Sequence, residues 1–319
     1  MRCGFPCARP TPDGPSFFGY GLAATVKIAI TGASGFVGGP LRAALRERDH
    51  VVVAARRTDA PAKLKWSVEE GFVPPDALSG YGAVVHLAGE SIAGGRWTDE
   101  RKAAILGSRV DGTRRVVEAL AAADPRPSTL VCASGIGYYG DTGDTVVDET
   151  APAGSDFTAQ VAAAWEKEAE AASELGVRVV RMRLGMVLGR AGGALAKMLP
   201  AFRLGFGGRL GSGEQYVPWI HLDDTVAAFV HAVESSELVG PVNVVAPNPV
   251  PNTEFVHAIG RAVRRPTIIP APKFALRAVF GEMADLLLTG QRAEPKRLQE
   301  AGFAFDFANL GQALSDLLG

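Results

Sequence analysis

The chain has 319 residues, with 33 Lys and Arg against 34 Asp and Glu and a formal net charge of −1. That balance gives no support to a nucleic-acid reader or a polybasic membrane binder, both of which need surplus cations, and 47% apolar against 21% charged residues excludes wholesale disorder. No uninterrupted apolar run is long enough to read as a spanning helix, and three cysteines, Cys3, Cys7 and Cys132, are too few for a disulfide framework, so the expected surroundings are the reducing cytoplasm.

Residues 1–25 differ from the rest. They hold four prolines, four glycines and two of the three cysteines, without apolar periodicity and without the apolar core and cleavage site of a secretory signal. The expectation is a disordered extension or a start assigned too far upstream, with an organelle-targeting segment as the alternative. Cys3 and Cys7 have no second pair to complete a metal site.

From Val26 onward, short β-branched runs alternate with helical stretches, the signature of βαβ units and a parallel sheet. The runs lie at 26–30, 51–55, 83–88, 129–134 and 177–183; the helices at 39–48, 98–123 and 157–175. Thr98 is a plausible N-cap for the second helix. After Leu184 come glycine-rich loops and a proline-rich stretch at 247–251, and residues 266–303 read as two or three helices behind a proline-marked strand. The expected fold is α/β: a Rossmann-type, doubly wound parallel sheet over 26–185, its last strands interleaved to about 246, and a smaller C-terminal α/β lobe over 247–319.

The strongest motif is VKIAITGASGFVGG at 26–39, a buried-type strand, a glycine turn and a helix. Gly32 allows the tight turn, Gly35 the approach of a pyrophosphate, and Gly38 the close packing of helix on strand, while the helix N-terminus offers N–H groups to phosphate. Thr31, Ser34, Phe36 and Val37 complete the cradle. About 20 residues on, where an acid would bind the ribose hydroxyl of NAD, the sequence has Arg56 and Arg57. Two guanidiniums suit a 2′-phosphate, so the expected cofactor is NADP(H).

TGASGFVG at 31–38, VVHLAG at 84–89, CASGIGYYG at 132–140 and WIHLDD at 219–224 together resemble the extended, epimerase-like branch of the short-chain dehydrogenase/reductase superfamily. GGRWTDERKAAILGSRVDGT (94–113) and GEMADLLLTGQRAEPKRLQEAGFAF (281–305) narrow the resemblance to a subgroup labelled epimerase-family or cell-division-inhibitor-like proteins, which end in a small domain of unknown function. The resemblance covers about 26–319. It implies a cofactor across the carboxyl edge of the sheet, with Leu87, Ala88 and Gly89 beside the adenosine and diphosphate, and a C-terminal lobe over the substrate. His86, inside an apolar run, reads as a core residue.

The branch normally uses a Ser and a Tyr–Lys pair at i and i+4 on one helical face. Here Phe157 and Val161 hold the corresponding positions, and neither moves a proton. Ser134 lies one residue before the usual serine, whose place Gly135 takes. Tyr138 and Tyr139 are the ionisable phenols left near the nicotinamide, so Tyr139, assisted by Ser134, is the catalytic candidate. Arg96 and Trp97, after two glycines, suit an anion or a ring and are the substrate-binding candidates, with a plain surface loop as the alternative. Arg109 takes a place where the branch has Asn; it either touches the cofactor or caps a helix pair. Asp223 or Asp224 is expected to cap a helix from about Thr225, with His221 in a structural role. His50, His231 and His257 share no spacing that suggests a metal.

Two functions remain: an NADP(H)-dependent oxidoreductase acting on a small molecule, or an NADP(H)-binding sensor or scaffold without turnover. Nucleic acid and membrane are not expected partners. Substrate and oligomeric state are left open.

Overall fold

The structure is a computed structural model and describes residues 25–56 and 63–319. The expectations for residues 1–24 and for Arg57 lie outside the described residues. In chain order the strands are β1 (Lys27–Thr31), β2 (Val51–Arg56), β3 (Leu64–Ser67), β4 (Gly71–Val73), β5 (Ala83–His86), β6 (Thr129–Gly135), β7 (Val146–Val147), β8 (Arg178–Leu184), β9 (Met186–Leu188), β10 (Tyr216–Val217), β11 (Trp219–His221), β12 (Gly240–Val244), β13 (Val250–Pro251) and β14 (Arg292–Ala293). The helices are α1 (Gly38–Glu47), α2 (Asp99–Ala122), α3 (Phe157–Glu170), α4 (Gly193–Arg203), α5 (Leu222–Glu234), α6 (Asn252–Ala262), α7 (Lys273–Phe280), α8 (Asp285–Leu288), α9 (Lys296–Glu300) and α10 (Leu310–Leu318).

Eight strands form one sheet in the order β12-β8-β6-β5-β1-β2-β3-β4, parallel except where β4 turns back on β3. The central strands are apolar along their length because both faces are covered. Ile28 and Ile30 in β1, Val84 and Val85 in β5, and Leu130 and Val131 in β6 are wholly buried. Helices α2 and α3 pack together on one face, α1 and α5 on the other. The strand order reverses between β1 and β5, and that crevice at the carboxyl ends is where a doubly wound sheet holds its ligand. The hairpin of β3 and β4, absent from the sequence expectation, extends the edge beyond β2; its Trp66 and Phe72 are buried in the main core.

A second core joins Leu195, Leu199 and Phe202 of α4 to Phe255 and Ile259 of α6 and to Leu314 and Leu317 of α10. The C-terminal lobe thus draws on 188–219 as well as on the chain's end. One expected cap is corrected. Helix α5 begins at Leu222, and its N-cap is His221, whose Nδ1 accepts from the Asp223 N–H at 3.1 Å. Asp224 is buried instead, accepting from the N–H groups of Asp306 and Phe307 at 2.8 and 3.0 Å, which ties the chain's last stretch to the sheet domain.

Candidate functional site

The carboxyl ends of β1 and β5 are joined by side chains. The Thr31 hydroxyl and His86 Nδ1 share a hydrogen bond at 2.6 Å, and Thr31 Oγ1 accepts from the Ala88 N–H at 3.3 Å, which fixes the backbone of Leu87 and Ala88 beside the first turn. His86 is fully buried edge-on to Trp66, ring centroids 5.6 Å apart. Burial first, and then the charge of Arg109, pull its pKa down to about 3. A neutral imidazole donating from neither ring atom to solvent is a strut, as the sequence suggests.

Gly32 turns at φ +68°, and a Cβ there would come 2.8 Å from the Leu87 carbonyl carbon, so no other residue fits this approach of the two strand exits. The Gly35 N–H closes the turn on the Gly32 carbonyl at 2.9 Å. At Gly38 a Cβ would collide with the Gly32 carbonyl oxygen, so glycine is what lets α1 start against the turn. Helix α1 has neither a side-chain cap nor an acid in its first turn, and Ser34 and Gly35 are exposed there. This is a cradle whose free donors and dipole favour an anion. The Phe36 ring fills a notch formed by Gly189, Gly192 and Gly193, where any Cβ would overlap it. The turn is thereby anchored to the loop that leads into α4.

Arg56 stands exposed at the end of β2. On the other side of the crevice, Arg109 donates to the carbonyls of Glu90 and Ile105 at 2.9 and 3.1 Å and lies over Trp165, 5.0 Å from the ring centre. Its guanidinium sits beside Gly89, where a Cβ would be 3.5 Å from Cζ. Burial lowers its pKa to about 10 despite the opposing pull of Glu90.

The substrate candidates face the C-terminal lobe. Arg96 donates to the Ala278 carbonyl at 3.2 Å, and the buried Trp97 donates its indole N–H to the Ile92 carbonyl at 2.9 Å. Trp97 also meets Phe157 edge-on at 4.9 Å, in a small core with Val161 and Met283. Where the resemblance expects Tyr and Lys, the structure has an apolar contact between α3 and the C-terminal lobe.

Ser134 and Tyr139 enter one buried polar network. Ser134 donates to Glu166 at 2.8 Å, and Arg183 grips the same carboxylate through Nε and Nη2 at 2.7 and 2.8 Å. Arg183 also donates to the Tyr139 hydroxyl at 2.8 Å, which in turn donates to Asn243 Oδ1 at 2.8 Å. Burial, only partly opposed by Arg183, pushes the Tyr139 phenol up to about 12. Tyr138, half-buried, lies with its ring 3.5 Å from the Arg183 guanidinium carbon. Cys132, two residues before Ser134, is buried, and burial raises its thiol to about 12, so it is protonated at neutral pH.

Glu166, Arg183 and Asn243 escaped the sequence reading. The available signal was three arginines in the short strand 178–184, of which Arg183 is the one that is fully buried and demands a buried partner. Among the described residues no three His, Cys, Asp or Glu side chains gather as a metal site, and no helix is long and apolar enough to cross a membrane.

The cradle at 31–38, closed by glycines that admit no Cβ and opening on an uncapped helix, fits a dinucleotide phosphate. The comparisons agree with this architecture. Residues 28–245 match the NAD dependent epimerase/dehydratase family and residues 271–317 a domain of unknown function, DUF1731. The chain is 47% identical over 295 residues to the epimerase family protein Mb2239 of Mycobacterium bovis, spanning 91% of this chain and 97% of that protein. It is 37% identical to the epimerase family protein YfhF of Bacillus subtilis, spanning 92% and 98%. Among solved structures, the human epimerase family protein SDR39U1 (isoform 2) with NADPH superimposes with a TM-score of 0.83 at 36% identity, spanning 92% of this chain and 99% of that one. With two thirds of its length matched by one family model and relatives aligned almost end to end, the chain belongs to the NAD dependent epimerase/dehydratase family.

Proposed function

We propose that the protein is an NADP(H)-dependent oxidoreductase of the epimerase-like branch, acting on a small carbonyl-type substrate in the cytoplasm. The observation that carries this is the phosphate cradle at 31–38 with Arg56 exposed at the end of the adjacent strand, and NADPH in the human relative supports it. Residues 31–38 hold the diphosphate, Arg56 and Arg57 the 2′-phosphate, and Leu87, Ala88, Gly89 and Arg109 the opposite wall. The bound dinucleotide supplies the hydride.

The chain's own part is to orient the substrate and supply a proton. Tyr139 and Ser134 enter this scheme as proposed members of the site, but both hydroxyls are engaged by Asn243 and Glu166. Their part is to set the loop at 134–139, and Tyr138, stacked on Arg183, is the phenol left to donate. Arg96 and Trp97 brace the substrate side against the C-terminal lobe.

A second reading has its own support: the apolar contact of Trp97, Phe157 and Val161, where the branch has its Tyr–Lys pair, suits a binding protein without turnover. Titration with NADPH and NADH, followed by NADPH oxidation with a panel of carbonyl compounds, separates the two. Arg56→Ala with Arg57→Ala is expected to weaken NADPH at least tenfold more than NADH; equal loss refutes the NADP assignment. Tight NADPH binding without turnover on any carbonyl favours the second reading.

A further inference from the structure

The net charge of −1 averages over a strong segregation. Segments 193–213 and 255–281 carry eight Lys and Arg and no Asp or Glu, leaving 25 cations against 34 acids elsewhere. The fold brings the two segments together: Arg265 Nε donates to the Arg203 carbonyl at 3.0 Å, and the Ala271 N–H to the Arg209 carbonyl at 2.9 Å. The same two segments hold six of the eleven exposed large apolar side chains among the described residues. Leu204 is 72%, Phe206 65%, Ile268 80% and Phe274 76% exposed, with Ile269 and Val279 beside them in sequence. Scattered apolar side chains need no explanation, but a concentration of this kind does.

Seven of these eight cations have no ion pair among the described residues. Arg261, Arg264 and Arg265 are among the seven. They line a notch of about 490 Å³ together with His257, Thr267 and Ile268, so that the basic pocket and the apolar rim share an edge. Among the described residues only Arg277 is neutralised, by Asp285 at 3.1 Å.

We propose that this face docks on an anionic lipid surface, with the Arg261–Arg264–Arg265 notch taking a lipid phosphate and Leu204, Phe206, Ile268 and Phe274 entering the interfacial region. Apolar side chains interleaved along two adjoining segments with cations in excess are complementary to a negatively charged bilayer surface, which offers both a hydrocarbon boundary and anionic headgroups. A water-soluble polyanion offers only the second, and a second copy of this face would oppose cation to cation. The face adjoins the proposed substrate side, since α7, which carries Phe274, is held to the 94–97 loop by Arg96. The proposal departs from the sequence expectation that no membrane takes part, which rested on the summed charge.

The test is co-sedimentation of the full chain with vesicles of phosphatidylcholine alone and with about one third phosphatidylglycerol, alongside sedimentation velocity without lipid. Pelleting only with anionic vesicles is expected, with Arg261→Ala, Arg264→Ala and Arg265→Ala together weakening it about a hundredfold. The exposed pair Ile268→Ser and Phe274→Ser is expected to weaken it at least tenfold with an unchanged circular dichroism spectrum and NADPH affinity. Pelleting no greater than with neutral vesicles overturns the proposal. So does binding insensitive to the apolar pair but matched by duplex DNA, which assigns the face to a polyanion, and so does a lipid-free dimer abolished by the apolar pair, which assigns it to self-association.

Discussion

Ser134 and Arg183 stand opposite one another in register on adjacent parallel strands, and both bind the carboxylate of Glu166, which reaches them from α3. A buried guanidinium and carboxylate stabilise a fold only while both are present. Burial disfavours the charge on Arg183, but Glu166 more than offsets it, and its pKa is raised overall. Glu166→Gln is therefore expected to cost about 3–5 kcal/mol in urea unfolding, and adding Arg183→Met to recover much of that loss. A double variant as unstable as the sum of the singles contradicts the pairing.

The two adjacent tyrosines are expected to behave differently. Tyr139→Phe removes a phenol engaged by Arg183 and Asn243, so it lowers stability by about 1–3 kcal/mol and reduces turnover only through the loop it holds. Tyr138→Phe is expected to leave stability within about 0.5 kcal/mol and to reduce kcat by about a hundredfold or more. Steady-state kinetics on whichever carbonyl compound is turned over checks this, and the reverse ranking restores Tyr139 as the proton donor.

Two neighbouring glycines give a sharp contrast. A Cβ at Gly38 meets the Gly32 carbonyl, whereas one at Gly39 meets nothing. Gly38→Ala is expected to destabilise by about 1–3 kcal/mol and to abolish tight NADPH binding. Gly39→Ala is expected to be neutral or stabilising by up to about 1 kcal/mol, as alanine is in a helix. Thermal shift with and without NADPH reads both.

His86 sets a pH dependence. Its pKa is about 3 in the folded chain against an ordinary 6.5, so between those values the unfolded chain binds the extra proton. Stability is complete above about pH 6.5 and falls as the pH drops toward 3, by on the order of a few kcal/mol. Burial also lowers His231, which adds to the same trend. His86→Gln should flatten the dependence of urea midpoints between about pH 7 and 5; an unchanged slope would assign it to other groups.

The sheet was legible because its strands are buried on both faces and read as apolar runs, and the glycine turn because its spacing has one steric purpose. Boundaries at 26–30 and 83–88 shifted to Lys27–Thr31 and Ala83–His86, since strand ends depend on the partner's length. The hairpin of Leu64–Ser67 and Gly71–Val73 was missed because strands of four and three residues carry too little pattern. His221 was passed over as a cap because Asp223 and Asp224 have the stronger propensity; the demand of residues 306–307 for an acceptor decided otherwise, and no local pattern encodes it. The partners of Ser134 and Tyr139 likewise come from Glu166, Arg183 and Asn243, distant in sequence.

The boundary between the two family signatures is not a place where the molecule can be cut. Leu298 is wholly buried in the core of the sheet domain, with Phe303 and Phe305 packed on it, while Asp224 holds the backbone of 306 and 307. A fragment ending near residue 245 would leave that carboxylate without its two N–H donors and would strip the hydrophobic cover from α5. The C-terminal domain of unknown function is, whatever else it does, part of the packing that completes its cofactor-binding neighbour.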